Sequence, residues 1–256
     1  MTKVRVLILR SSGTNCDNET AFAFNEAGAT PSLVHIGELI RGKESLSNYQ
    51  IVVIPGGFTY GDDVSAGKVL ANELKLRLYN DLEKFIAAGG LILGICNGFQ
   101  VLVKAGVLPG PLNSSQSPIT LSSNDSGKFE CRWVHLKVNS KSRCVFTRGI
   151  EHLYLPAAHA EGKVIVNPGL LSSLDVVLKY TDEKGNKAPG YPYNPNGSTD
   201  DIAGICDVTG RIFALMPHPE RYIRETQHPQ WMRRRTNGYG DGFQIFLNAV
   251  QWAKSL

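Results

Sequence analysis

The first hundred residues carry short apolar runs with little polar alternation: "VRVLIL" at 4–9, "LVHI" at 33–36, "IVVI" at 51–54 and "LILGI" at 91–95. Runs of this length predict strands buried on both faces, as in parallel sheets. Between them lie segments with helical spacing, most clearly residues 71–88. Strand and helix in alternation predict βαβ units. After residue 105 the pattern changes. "PITLSS", "FECRWVHLKV", "KVIV" and "LDVVLKYT" alternate apolar and polar positions between Pro and Gly turns, which predicts an antiparallel extension with one wetted face. "DIAGICD" and "RIFALM" flank Val208-Thr209-Gly210 as a hairpin, and the closing "GFQIFLNAVQWAKSL" has helical apolar spacing. Residues 181–201, with three Pro and three Gly, predict an exposed excursion. With no linker and no internal repeat, residues 1–256 predict a single α/β domain: a mostly parallel sheet flanked by helices, with an antiparallel extension.

Composition agrees with a folded chain of this kind. Apolar residues make up 42% and charged residues 20% of 256, and nothing is low-complexity. The N-terminal apolar run is interrupted by Arg5 and closed by Arg10, too short for a signal-peptide core or a membrane span, so it predicts a first strand. Cys16, Cys96, Cys131, Cys144 and Cys206 form an odd set without close pair spacing. That argues against a disulfide framework and a four-thiolate zinc site, and predicts a cytoplasmic protein. A net charge of +4 does not by itself indicate nucleic acid. The charge is concentrated, however: residues 211–235 contain six Arg and two Glu, and Arg233, Arg234 and Arg235 are consecutive. Such a run is a candidate docking patch for an acidic partner face, against the plainer alternative of a solvated loop.

Cysteine is mostly an inert core filler, but Cys96 has a special context. It follows the run "LILGI", stands in Gly94-Ile-Cys-Asn-Gly98, and precedes a helix predicted to begin at Asn97. This is the cysteine form of a nucleophile elbow, in which small flanking residues permit a sharp turn that lifts the nucleophile from the sheet. The helix start would set backbone amides and the positive end of its dipole beside the sulfur. A sulfur nucleophile needs a base, and the base an orienting group. Two His-x-Glu elements offer both: His159-Ala160-Glu161 and His218-Pro219-Glu220. In an extended segment either could present its two side chains on one face. We favour His218 and Glu220, because "RIFALM" can align beside the Cys96 strand and Pro219 stiffens the backbone. The four other cysteines are expected to matter for stability alone.

The glycine pair in "PGGFTYGDD" (55–63) follows the strand "IVVI", which puts it at the same carboxyl edge as Cys96 in a parallel sheet. There its amides can approach a substrate oxyanion. A phosphate-loop reading fails, because five residues separate Gly61 from Gly67 and Val69 stands where Ser or Thr is required. No G-x-G-x-x-G follows a strand either, so the chain supports neither ATP nor NAD binding.

Taken together, "PGGF", "GICNGFQ" and "MPHPER" resemble the class I glutamine amidotransferases. Residues 191–221, "PGGFTYGDD", "SSGTNCDNET" and "HAEG" are similar to the glutaminase subunits of phosphoribosylformylglycinamidine synthase, so the resemblance spans most of the chain. It implies Cys96 as nucleophile, His218 as acid and base, and Glu220 as orienting partner. It also implies backbone amides of Gly57 and Asn97 for the oxyanion, and Gln100 as a glutamine-holding residue. Further implications are L-glutamine as substrate, no cofactor or metal in this chain, ATP and Mg on a partner synthetase subunit, and a possible small accessory subunit. Neither nucleic acid nor membrane is implied. The segment after Arg221 is longer than the family pattern leads one to expect. Two other readings of the residues are a free-standing cysteine hydrolase and a non-catalytic binding module on the same fold; neither accounts for the glycine loop, the elbow and His-Pro-Glu at once.

Overall fold

The computed structural model describes residues 3–110, 118–233 and 238–255. Eleven strands are named β1 (Arg5–Arg10), β2 (Thr30–His35), β3 (Ile51–Ile54), β4 (Leu91–Ile95), β5 (Ile119–Ser122), β6 (Glu130–Val138), β7 (His152–His159), β8 (Lys163–Val166), β9 (Asp175–Thr181), β10 (Ile202–Cys206) and β11 (Ile212–Leu215). Six helices are α1 (Asp17–Glu26), α2 (Ile36–Ile40), α3 (Lys68–Arg77), α4 (Tyr79–Ala87), α5 (Asn97–Lys104) and α6 (Phe243–Ala253). Nine strands form one sheet in the order β2-β1-β3-β4-β11-β10-β9-β6-β7, and β5 pairs with β8 separately. From β2 to β11 all neighbours are parallel; from β11 to β7 all are antiparallel.

The burial of each strand follows its sequence pattern. Every residue of β3, β4 and β11 is buried, as uninterrupted apolar runs require, because the sheet is covered on both faces there. Along β7 burial alternates, with Leu153, Leu155 and Ala157 in the core and neighbours partly open. Helix α5 packs on β3, β4 and β11, with α3 against it, while α1 packs on β1, β2 and α6. Phe99, Val101 and Leu102 of α5 are fully buried, and each such side chain contributes roughly 1.5–3 kcal/mol through burial.

Three features depart from the sequence reading. The helical stretch 71–88 is two helices, because Leu78 leaves the helical region at φ −123° and ψ 11°. Strand β7 contains Pro156, which argues against a central strand; it is accommodated because β7 is the sheet's edge. Residues 181–201 are not wholly exposed. Asn194, Asn196 and Ser198 are buried, and Asn196 donates to Gly162 O at 2.8 Å while Ser198 Oγ accepts from Val164 N at 2.9 Å. These side chains satisfy backbone groups where no strand does so. Of the arginine run, Arg233 ends an exposed turn; Arg234 and Arg235 lie outside the described residues.

Candidate active site

Four adjacent parallel strands, β1, β3, β4 and β11, deliver their following loops to one carboxyl edge, where ligands bind in such sheets. After β4 comes Cys96, held at φ 51° and ψ −103°. A non-glycine residue in such a conformation costs about 1–3 kcal/mol and persists only where its surroundings enforce it. The surroundings here are Gly94 and Gly98. A Cβ on Gly98 would lie 1.9 Å from Ile54 O, and one on Gly94 would lie 2.9 Å from the Gly98 carbonyl, so the tight turn requires both glycines. Cys96 N donates to Leu215 O at 2.8 Å, and Cys96 O accepts from Phe99 N at 2.9 Å. The sulfur lines a cavity of about 220 Å³ together with Gly57, Asp62, Gln100, His159 and Glu161.

Gly57 has φ 148°, and a Cβ there would fall 2.8 Å from Asn15 N and Gly13 O. The loop after β1 presses this closely because Thr14 bridges Gly57 and Phe58 N donates to Gly13 O at 2.9 Å. The Gly57 and Asn97 amides have no backbone acceptor among the described residues, which leaves both N–H groups for a ligand. The Asn97 side chain clamps the glycine loop to the elbow: Oδ1 accepts from Thr59 Oγ1 at 2.7 Å, and Nδ2 donates to Asp62 Oδ1 at 3.1 Å. Burial pushes the Asp62 carboxyl up from its ordinary value. Gln100 lines the cavity while bracing it, accepting from Asn97 Nδ2 at 2.9 Å and donating to Glu161 O.

The two His-x-Glu elements have different fates. His218 follows β11, which runs beside β4 in parallel register with Leu215 opposite Ile95. His218 Nδ1 lies 2.6 Å from Glu220 Oε1, and both side chains are buried. The segment is not extended throughout: His218 is extended, and Pro219 opens a 3-10 turn, Pro219–Arg221, that brings the carboxylate under the ring. His218 Nε2 is buried without a hydrogen-bond partner. Burial alone would push the imidazole down, but the Glu220 carboxylate, with the sulfurs of Cys96 and Cys16, holds it well above the ordinary histidine value.

His159 and Glu161 do not pair. Asn124 Oδ1 lies 3.1 Å from His159 Nδ1, whereas Glu161 Oε1 takes Lys104 Nζ at 2.7 Å. Burial, with His218 adding to it, pushes His159 down to about 4, so its ring is neutral at neutral pH. On unfolding, His159 returns to its ordinary affinity for protons, so this group's contribution is present above about pH 6.5 and is lost as pH falls toward 4. Between pH 7 and 4.5 it should account for about 2–3 kcal/mol of lost stability. Urea unfolding of the wild type and of His159→Gln at both pH values checks this; equal losses in the two proteins would refute it.

Sequence reasoning missed Asn124, Lys104, Cys16 and Arg221. No motif marks the first two, which sit on segments distant in sequence. Cys16 is not an isolated core thiol: its Sγ lies 3.9 Å from His218 Nδ1 and accepts from Arg221 Nη2 at 3.0 Å. Cys16, His218 and Glu220 place donor atoms within 4.8 Å of one another. The Arg221 guanidinium already supplies a positive charge there, and the bond between His218 Nδ1 and Glu220 occupies a nitrogen a metal would need, so the trio does not suit an ion. A larger recess of about 800 Å³, bordered by Lys137, Lys179 and Lys187, shares no residue with the site.

Cys96 and Gly57 line one cavity, and Cys96 is among the groups acting on the buried His218–Glu220 pair, an arrangement suited to thiol-dependent amide hydrolysis. A family profile described as a CobB/CobQ-like glutamine amidotransferase domain matches residues 3–253, and the chain belongs to that family. Within it, phosphoribosylformylglycinamidine synthase subunit PurQ of Dehalococcoides mccartyi is 54% identical over 256 residues, covering 100% of both chains. The subunit PurQ of Methanococcus maripaludis is 45% identical over 264 residues, covering 97% of each. Among solved structures, that of PurLQS from Thermotoga maritima matches with a TM-score of 0.76 and 31% identity, covering 98% of this chain and 99% of that one. The chain is thus a member of the PurQ subunit family. The full-length match to the first relative includes the segment after Arg221.

Proposed function

We propose that this chain is the glutaminase subunit of a phosphoribosylformylglycinamidine synthase. It hydrolyses L-glutamine to glutamate and ammonia. The ammonia passes to an ATP-dependent synthetase subunit, which converts formylglycinamide ribonucleotide to formylglycinamidine ribonucleotide in de novo purine biosynthesis. The observation that carries this reading is the cavity of about 220 Å³ that exposes Cys96 to a ligand while His218 and Glu220 stay buried.

Cys96 sulfur attacks the side-chain amide carbon of glutamine, and the oxyanion is taken by the Gly57 and Asn97 amides. His218, oriented by Glu220 through Nδ1, has Nε2 available to give a proton to the departing nitrogen, so the C–N bond breaks and ammonia leaves. Water then attacks the glutamyl thioester, His218 takes its proton, and the C–S bond breaks to release glutamate. Gln100 supports the cavity wall that faces the substrate. ATP and Mg belong to the synthetase; this chain works as one domain without metal or cofactor, in the cytoplasm, with a small accessory subunit as a further partner. No described helix is long and apolar enough to cross a membrane.

The test is reconstitution with the synthetase subunit, ATP, Mg and formylglycinamide ribonucleotide. One glutamate should form for each amidine produced. Glutamine hydrolysis without amidine formation, or amidine formation from ammonia but not from glutamine, would overturn the assignment.

A further inference from the structure

We propose that Cys16 is a positioning residue that tethers the Arg221 guanidinium away from Glu220, leaving the Glu220 carboxylate to hold His218. The inference rests on the reading of Cys96, His218 and Glu220 as the reacting triad. It does not follow from the relatives' names and concerns a thiol that the mechanism leaves unused.

Cys16 is fixed from several directions. It immediately precedes α1, its N–H donates to Gly56 O at 3.1 Å, and its carbonyl accepts from Thr20 Oγ1 at 2.6 Å. The sulfur is buried, and it donates to Asn15 Oδ1 at 3.1 Å. Arg221 therefore meets an immobile acceptor. Its Nη2 is 3.0 Å from the sulfur, whereas its Nε is held at 3.8 Å from Glu220 Oε1, a loose ion pair beyond hydrogen-bond range. Glu220 adjoins Arg221 in sequence, and Glu220 Oε2 is buried with no hydrogen-bond partner. An unpaired buried carboxylate oxygen is costly, so a guanidinium released from the sulfur would move onto it. Arginine suits a carboxylate as a two-pronged donor, which would rotate Glu220 away from its bond to His218.

The electrostatic consequence has a definite sign. The groups facing His218 are Glu220 and Arg221 from its own turn, Cys16 from the start of α1, Cys96 from the elbow and His159 from β7. Of these, Glu220 gives the largest favourable interaction with the protonated ring. A cation placed on Glu220 weakens that interaction, so His218 loses its proton at lower pH. Proton donation to the departing ammonia then fails earlier on the alkaline side.

The experiment uses the assembled complex with glutamine as nitrogen donor and reads kcat/KM against pH. Cys16→Ala should displace the alkaline limb of kcat/KM downward by about one pH unit, with a loss of about tenfold at pH values above that limb, since one unit is a factor of ten. Adding Arg221→Met to Cys16→Ala should restore most of both, because the misplaced cation is gone. Cys16→Ser, which keeps a side-chain acceptor for the guanidinium, should have a limb close to that of the wild type. Circular dichroism of each variant and its co-elution with the synthetase subunit report intact folding and assembly. Should Cys16→Ala fold poorly, the comparison of Cys16→Ser with Cys16→Ser/Arg221→Met decides, with no gain expected from the second change. An unshifted limb in Cys16→Ala, or a double variant no better than Cys16→Ala, overturns the proposal. Full glutaminase activity in Cys96→Ala or His218→Asn would instead overturn the triad reading, whatever the Cys16 variants do.

Discussion

Replacing Cys96 by Ala in the assembled enzyme should abolish glutamine-dependent synthesis while ammonia-dependent synthesis continues. In the proposed mechanism the sulfur forms the thioester, and no other thiol lines the cavity among the described residues. Loss of a nucleophile removes the covalent route altogether, and rate losses on the order of 10⁴–10⁶ are typical. The fold should survive. Cys96 backbone contacts to Leu215 and Phe99 do not involve its side chain, and its sulfur's hydrogen bond to Ala158 O is long, at 3.7 Å. Parallel assays with glutamine and with ammonium as donor check this. Equal loss with both donors would mean that Cys96 serves the structure of the complex, not ammonia generation.

Most of the site was readable because its parts follow strands. The runs "IVVI", "LILGI" and "IFALM" carry no polar side chain, so their burial was forced, and each ends in a loop carrying glycine, cysteine or histidine. Parallel packing then brings those loops to one edge. Where function depends on side chains reaching across loops, the pattern falls silent. Cys16 resembles any buried cysteine until the loop after β1 is seen bridging Thr14 to Gly57. Pro156 hid β7, although Pro156 O accepts the amide of His218 at 2.8 Å and so helps place the ring. The separate fates of His159 and Glu161 depend on neighbours that no local spacing reveals: Asn124 and Lys104 claim them one by one. Asparagines 194 and 196 read as turn residues, yet their amides are what allow that segment to be buried.

His218→Asn and Glu220→Gln should both leave a folded protein and should differ in severity. Asn at 218 has no proton to deliver through Nε2, so loss should approach that of Cys96→Ala, on the order of 10³-fold or more. Gln at 220 preserves size, and its amide oxygen can still accept the Nδ1 proton over a contact now 2.6 Å long. What it removes is the negative charge that, against the cost of burial, holds His218 above its ordinary value. Activity should therefore fall by a smaller factor, roughly 10²–10⁴, and the loss should deepen with rising pH. The stability sign is the same. A histidine whose protonated form is favoured by folding stabilises the native state below its unfolded value, near pH 6.5, and that contribution fades as pH rises through the elevated native value. In Glu220→Gln this pH-dependent component should shrink. Glutaminase profiles from pH 6 to 10, with urea unfolding at pH 6 and pH 9, supply both readouts. A Glu220→Gln profile parallel to wild type would show that Glu220 holds the ring by shape alone, and a larger loss in His159→Asn than in His218→Asn would move the acid and base role to the other histidine.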